Sequence, residues 1–149
     1  MKISLSVFAL LCFALAATAN AADFTTPVAA LKSLEEAYQH KDIDAAVAAK
    51  DFNFEAMVLL RSMGGTSNPD TKLIEQTAQT LELAFRKEIQ TGGFPDFGQL
   101  RCTIVKESQL MPKLVEMIEE CIFPDGEKSS DKLHAFNNGQ GWHIVILPE

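Results

Sequence analysis

The sequence predicts an α+β domain in which N-terminal helices pack on a curved antiparallel sheet. Apolar residues recur at helical spacing in the first part of the chain, whereas the residues from Gln99 onward alternate and are rich in β-branched side chains. Turn signals at Asp125-Gly126 and Asn138-Gly139 divide this second part into hairpins. A run of helices followed by a run of hairpins is typical of proteins whose sheet is covered by helices.

The first residues have the anatomy of a secretory signal peptide. A charged residue and an apolar stretch precede small residues at positions 19–21. The apolar stretch is shorter than the roughly 20 residues that a permanent membrane anchor needs. We therefore predict a signal peptide over residues 1–22, cleaved near Ala21 or Ala22, and a single domain over residues 23–149. The expected location is the bacterial periplasm or the medium outside the cell.

The predicted mature chain is acidic. The formal charge of the full sequence is −7, and loss of the leader with its single charged residue, Lys2, makes it −8. Such a charge is unfavourable for binding nucleic acid or an anionic membrane, although it is compatible with a basic protein partner. The sequence contains no nucleotide fingerprint, phosphate loop, HExxH motif or nucleophile elbow, and no cofactor is predicted.

Two helices are predicted on either side of a Lys41-Asp42 hinge. Thr26 supplies an N-cap hydroxyl, and Pro27 suits the first helical position. Asp42 can cap the second helix, because its carboxylate can accept the free N–H groups of the first turn. The hinge therefore lets two amphipathic faces cover the same core. Their apolar stripes are Val28, Leu31, Leu34 and Tyr38 in the first helix and Ile43, Ala46 and Val47 in the second.

The next part of the chain is also expected to be helical. Residues 52–65 are apolar and end at a glycine pair, so they either continue the second helix or form a short separate one. A further helix is predicted to open with Asn68 as N-cap and Pro69 at the first helical position. Its apolar stripe continues to Ile89, and the glycines at 92–93 end it.

Two cysteines, Cys102 and Cys121, remain after Cys12 leaves with the leader. If residues 99–109 and 114–123 form a hairpin, these two cysteines lie directly opposite each other. Together with the predicted export, this register favours a disulfide, and the alternative is a pair of buried free thiols. The absence of a Cys-x-x-Cys spacing argues against a redox-active pair.

Asn138-Gly139 predicts a two-residue turn between the last two strands, because both residues tolerate a positive φ. In that register His134 lies opposite His143, where two imidazoles could share a divalent metal. No third ligand is apparent, so no metal site is predicted. The same register creates one apolar face that the helices can cover, formed by Leu133, Ala135, Trp142, Ile144 and Ile146.

ALKSLEEAYQHKDIDAAVAAKDF (30–52) has a helix–Asp hinge–helix pattern, and GWHIVIL (141–147) is the predicted Trp-containing final strand. These two segments resemble the opening and the final strand of the NTF2-like (nuclear transport factor 2-like) superfamily, which includes SnoaL-like and ketosteroid isomerase-like proteins. The resemblance implies a cone-shaped α+β fold. It does not imply one activity, because the fold hosts isomerases, dehydratases, transport adaptors, toxin-immunity proteins and non-catalytic subunits. One departure is that residues 53–90 look helical where the family usually has a strand.

The isomerase chemistry of this superfamily needs a tyrosine–acid pair and a carboxylate base. The tyrosine position falls near Ser33, so this donor is missing. Asp51 is available near the position of the base, but Glu119 and Glu120 match no motif for the second acid. A steroid-isomerase mechanism therefore does not carry over, and no catalytic residue is assigned. Because adjacent residues point in different directions, two acid pairs are interpreted as solvated faces, Glu35-Glu36 and Glu119-Glu120.

The leading hypothesis is an exported, non-catalytic domain that binds a small apolar ligand or a protein partner, with toxin inhibition by an immunity-type protein as one version. The alternative is a SnoaL-like isomerase, lyase or hydrolase acting on a small hydrophobic substrate. That alternative requires at least two of Asp51, Tyr38 and His143 to converge on one cavity. The candidates for a ligand pocket are Tyr38, Asp51, Trp142 and His143.

A homodimer through the outer face of the sheet is compatible with both hypotheses. Phe136, Val145 and Leu147 are expected on that face, where they would offer an apolar contact.

Overall fold

A computed structural model of the protein describes residues 21–64 and 68–148. Four helices precede four strands, which pair antiparallel in the order β1-β2-β3-β4 to form a curved, open sheet. The predicted α+β class is confirmed. All but the last two residues of the predicted signal peptide lie outside the described residues. The helices are α1 (Pro27–Gln39), α2 (Ile43–Ala48), α3 (Phe52–Ser62) and α4 (Thr71–Gly92), and the strands are β1 (Arg101–Met111), β2 (Leu114–Ile122), β3 (Lys128–Asn137) and β4 (Trp142–Val145).

Capping residues set the ends of the first two helices. The hydroxyl of Thr26 accepts the N–H of Ala29 at 3.1 Å. Lys41 has a φ of 55°, and this left-handed conformation interrupts the helical path. The carboxylate of Asp42 then accepts the N–H of Ala45 at 2.9 Å. The predicted hinge at Lys41-Asp42 is confirmed.

The region from residue 52 forms a separate helix and does not continue α2. Asp51 caps α3, and its carboxylate accepts the N–H of Phe54 at 2.9 Å. The next helix begins later than predicted, because its N-cap is Asp70 and not Asn68. The carboxylate of Asp70 accepts two N–H groups of the first turn, at 2.9 and 3.3 Å. The helix ends at the predicted glycine pair.

The helices α1 and α2 pack on one face of the sheet, called the inner face below. Met117 of β2 is fully buried there. The predicted apolar face is present except for Ile146, which is 66% exposed. β4 ends at Val145, and the N–H of Ile146 donates to Glu55 at 2.8 Å. The core of the inner face is formed by Ala30, Leu31, Leu34, Ala37, Ala46, Ala49, Val115, Met117, Ala135 and Ile144.

The helix α3 packs on the opposite, outer face, and α4 packs on α3. The rings of Phe54 and Phe136 stack with centroids 3.8 Å apart. Val145 is buried in the same cluster, and Leu147 packs beside it. The apolar residues expected to form a homodimer contact are therefore covered by α3 of their own chain. A homodimer through the sheet stays a prediction that would need another contact surface.

The first hairpin has the predicted pairing at its cysteines. Cys102 lies opposite Cys121, and the two form a disulfide. The predicted register holds from Arg101 to Ile104, beyond which a bulge shifts it by one residue. A disulfide fits an oxidising compartment. Within the two described ranges, no helix is both long and apolar enough to cross a membrane.

The predicted two-residue turn at Asn138-Gly139 is wrong. Asn137 lies opposite Trp142, so residues 138–141 form a four-residue connection. The side chains of Asn137 and Asn138 each accept a backbone N–H within this connection at 2.9 Å. Asparagine side chains can stabilise a turn by such hydrogen bonds to the backbone. The longer connection formed in this way replaces the two-residue turn that the sequence predicted.

The longer connection shifts the register by two residues. Each side chain keeps its predicted face, because a shift of two preserves the alternation of a strand. However, His134 now lies opposite Val145, and His143 lies opposite Phe136. Nε2 of His134 is instead 3.6 Å from a carboxylate oxygen of Glu116. The two histidines are not opposed, so the geometry considered for a shared metal is not present.

Candidate functional site

A cavity of 460 Å³ lies between α1 and the first two strands. This volume is within the range of small-molecule binding sites. Its lining combines apolar side chains with charged groups of both signs. The lining residues are Val28, Leu31, Lys32 and Glu35 of α1, Cys102, Thr103, Ile104, Val105, Lys106 and Glu107 of β1, and Glu119 of β2.

Regular spacing in two elements brings two glutamates to this cavity. Val28, Leu31 and Glu35 follow one another at intervals of three and four residues, so they form one stripe along α1. In β2, alternation puts Glu119 on the inner face with Met117. Glu35 and Glu119 therefore meet where α1 crosses the inner face.

The carboxyl groups of Glu35 and Glu119 are hydrogen-bonded to each other. Glu119 is only 8% exposed. Burial raises the pKa of Glu119 to about 7, and the negative charge of Glu35 adds to this effect. Burial also raises the pKa of Glu35, although the hydrogen bond with Glu119 and the charge of Lys32 oppose the rise. Near neutral pH the pair therefore shares a proton, with Glu119 as the donor.

The disulfide adjoins this carboxyl pair. The two sulfurs and a carboxylate oxygen of Glu119 lie within 4.8 Å of one another. Cys102 lines the cavity and is half-buried, whereas Cys121 is only 4% exposed. Because both sulfurs are bonded to each other, neither is a thiolate, the form of cysteine that binds metals and attacks electrophiles. The cavity therefore combines apolar walls, a titratable carboxyl pair and one accessible sulfur.

The interpretation of Glu35 and Glu119 as parts of solvated faces is wrong. In each adjacent pair, one glutamate points to the inner face, and the strand register places Glu120 on the other side of the sheet. The spacing of the apolar residues in the sequence already indicated that these two glutamates point to the core. Glu35 lies four residues after Leu31, and Glu119 lies two residues after Met117, so each continues a buried row.

Two of the predicted pocket residues border other cavities. The ring of Tyr38 packs against Phe94 and Phe97 beside a cavity of 820 Å³, and burial raises its pKa to about 12. Asp51 lines a groove of 420 Å³ next to α3. Besides capping α3, its carboxylate accepts from the side-chain amide of Asn138 at 3.1 Å. These bonds give Asp51 a structural role at the start of α3.

The other two candidates lie elsewhere. Trp142 packs on the inner-face core, and its backbone N–H donates to the carbonyl of Phe24 at 2.8 Å. The ring of His143 stacks on Phe24 with centroids 5.0 Å apart, and its Nδ1 is 3.1 Å from the carbonyl of Gly141. The four predicted candidates therefore do not converge on one cavity. The condition set for an enzyme built on Asp51, Tyr38 and His143 is not met.

Comparison with known proteins gives one structural likeness. No family model matches the sequence, and no curated protein matches it significantly. A crystal structure of an NTF2-like protein of unknown function from Shewanella oneidensis MR-1 is similar at 20% sequence identity, with a TM-score of 0.46. The match covers 78% of this chain and 89% of that chain.

Proposed function

We propose that this chain is an exported, non-catalytic domain that binds a small molecule in the cavity between α1 and the first two strands. The ligand has a mainly apolar body and one polar end. Val28, Leu31 and Ile104 contact the apolar body, and the Glu35–Glu119 pair holds the polar end. The observation that carries the proposal is the position of this carboxyl pair, with Glu119 buried and Glu35 half-buried, on the wall of a cavity large enough for a small ligand.

The chemistry of the pair supports a polar ligand group. A buried polar group is costly unless it is hydrogen-bonded, and a protonated carboxyl both donates and accepts. Because Glu119 is hydrogen-bonded to Glu35, the two carboxyl groups share one proton. A ligand hydroxyl or amine that donates to the carboxylate of the pair gains a charge-assisted bond, which is about twice as strong as a neutral one. A ligand carbonyl instead accepts from the protonated carboxyl group.

A thermal-shift screen of small amphipathic molecules against the oxidised chain tests this proposal. We expect at least one class to raise the melting temperature in proportion to ligand concentration. Calorimetry should then show weaker binding to the Glu119→Gln variant than to the wild type. Glu120→Gln is the matched control, because its side chain lies on the other face of the sheet. The proposal is contradicted if no class of molecule raises the melting temperature, or if the Glu119→Gln and Glu120→Gln variants bind the ligand equally well.

A second candidate function is proton transfer to or from a small hydrophobic substrate, as in a SnoaL-like isomerase or lyase. The observation that favours it is the pKa of Glu119, which lies at about 7, where a carboxyl group can act as general acid or base. Incubation of apolar ketones in heavy water tests this function. Deuterium at the α-carbon that depends on Glu119 supports catalysis, and no exchange above the buffer rate excludes it for these substrates.

A further inference from the structure

We propose that the Cys102–Cys121 disulfide exchanges with a small zwitterionic thiol that enters the cavity. The incoming sulfur attacks Cys102, and Glu119 protonates the departing sulfur of Cys121. This inference shares the accessible cavity with the proposed function, but it does not depend on the ligand proposed there.

The two cysteines differ in their access to solutes. Cys102 is half-buried and lines the cavity, whereas Cys121 is 4% exposed and faces the inner core. Exchange requires a thiolate to reach one sulfur of the disulfide. Attack from the cavity therefore reaches Cys102 first and leaves Cys121 as the departing group.

The position of Glu119 completes the reaction. Its carboxyl oxygen and both sulfurs lie within 4.8 Å of one another. A thiolate R–S⁻ forms a bond with the sulfur of Cys102 while the bond between Cys102 and Cys121 breaks. The electron pair of the broken bond moves to the sulfur of Cys121. Glu119 then gives its proton to this thiolate, which yields a mixed disulfide, a neutral Cys121 thiol and a Glu119 carboxylate. Proton transfer matters because an apolar environment disfavours a buried thiolate.

The charges around the cavity indicate the class of thiol. Lys32 and Lys106 lie on its lining and can meet carboxylates, while Glu107 on the same lining can meet an ammonium group. A small peptide-type thiol carries both kinds of charge. The volume of 460 Å³ is sufficient for a ligand of that size.

The protonation of Glu119 makes the exchange pH-dependent. The charged groups that face Glu119 are Glu35 of α1, which also lies near Lys32, and Asp131 of β3. Burial is the main reason that Glu119 retains its proton, and both acids add to this effect, which raises its pKa to about 7. The rate divided by the thiolate concentration should therefore fall as pH rises through 7.

The test uses the oxidised full chain and reduced glutathione as the probe. Aliquots are quenched with acid, free thiols are alkylated, and peptide mass spectrometry locates the adduct. We expect glutathione on Cys102 and an alkylated Cys121. At pH 6, the Glu119→Gln variant should react at least about tenfold more slowly than the wild type, since general acid catalysis contributes this much or more. Glu120→Gln should react at the wild-type rate.

The inference is overturned by an adduct on Cys121, by equal rates in the Glu119→Gln and Glu120→Gln variants, or by a thiolate-normalised rate that does not change across pH 7. A rate that rises steeply with low urea also overturns it, because the disulfide would then be reached by unfolding. Calorimetry of amphipathic ligands with the disulfide intact is a separate measurement, so the exchange and the proposed function can fail independently.

Discussion

Two buried glutamates on different sides of the molecule have opposite kinds of partner. Glu55 is 7% exposed and forms an ion pair with Lys50 at 2.8 Å. The same carboxylate accepts the backbone N–H of Ile146 at 2.8 Å. Glu119 is 8% exposed, but its hydrogen-bond partner is Glu35, another acid. The two glutamates are therefore equally buried, but Glu55 is paired with a cation, whereas Glu119 shares a proton with another acid.

The difference separates a carboxylate that is paired with a cation from one that is hydrogen-bonded to another acid. Nζ of Lys50 also lies over the rings of Phe52 and Phe85, at 5.4 and 5.6 Å from their centroids. This ion pair and the bond from Ile146 tie α3 to the residues after β4. A groove of 310 Å³ borders it, so cavity volume alone does not distinguish the two places. The proton shared by Glu35 and Glu119 can pass to a ligand or to solvent.

The largest effect is expected at the ion pair. Lys50→Met leaves Glu55 buried without its cation, which should lower the free energy of unfolding by about 3–5 kcal/mol. Urea unfolding followed by circular dichroism measures this change. The double variant Lys50→Met/Glu55→Gln should recover most of the loss, because glutamine still accepts the N–H of Ile146. A loss below about 1 kcal/mol in the single variant would show that the pair is not effectively buried.

The pH dependence of stability sharpens the comparison on the Glu119 side. Glu119 has a pKa of about 7 in the folded chain, against an ordinary value of 4.5. Because the folded state holds this proton more tightly, the free energy of unfolding falls as pH rises from 4.5 to about 7 and then levels off. We expect this contribution to be about 2 kcal/mol, at about 1.4 kcal/mol per pKa unit and with allowance for coupling to Glu35.

Substitution isolates this contribution from other titrating groups. Glu119→Gln should be more stable than the wild type above pH 7 and should lose the fall between pH 4.5 and 7. Glu120→Gln should keep the wild-type profile. Parallel profiles for the wild type and Glu119→Gln would show that the carboxyl pair does not share a proton in the folded chain.

A smaller effect is expected for the third buried acid. Asp51 is 8% exposed, caps α3 and accepts from Asn138. Asp51→Ala should therefore cost about 1–2 kcal/mol of unfolding free energy. Asp70→Ala removes an exposed cap from α4 and should cost about 1 kcal/mol or less. If the Asp51 variant is as stable as the wild type but loses ligand binding, Asp51 belongs to a binding site and not to the frame.

Local signals predicted much of the fold. The N-cap at Thr26, the hinge at Lys41-Asp42 and the pairing of Cys102 with Cys121 each depend on residues close in sequence or on one hairpin register. The last turn was predicted wrongly, because the asparagines at 137 and 138 bond to the backbone by their side chains. Such bonds compete with the tight turn that the same residues favour.

The candidate site was missed for a different reason. Glu35 and Glu119 are 84 positions apart, and only the crossing of α1 over β2 brings them together. The sequence shows that each glutamate continues a row of buried residues. It does not show that the two glutamates are in contact, because that contact depends on tertiary packing. By contrast, Tyr38 was predicted from the apolar stripe of the first helix and Trp142 from the apolar face of the last strand, and the structure places them in different packing environments.

The most direct measurement is a carbon-13 NMR titration of the glutamate side-chain carboxyl groups, with Glu35→Gln and Glu119→Gln used for assignment. A carboxyl carbon of the Glu35–Glu119 pair should titrate with a midpoint near 7, and this midpoint should move toward 4.5 when Glu35 is replaced. Midpoints near 4.5 for both glutamates in the wild type would contradict the shared proton.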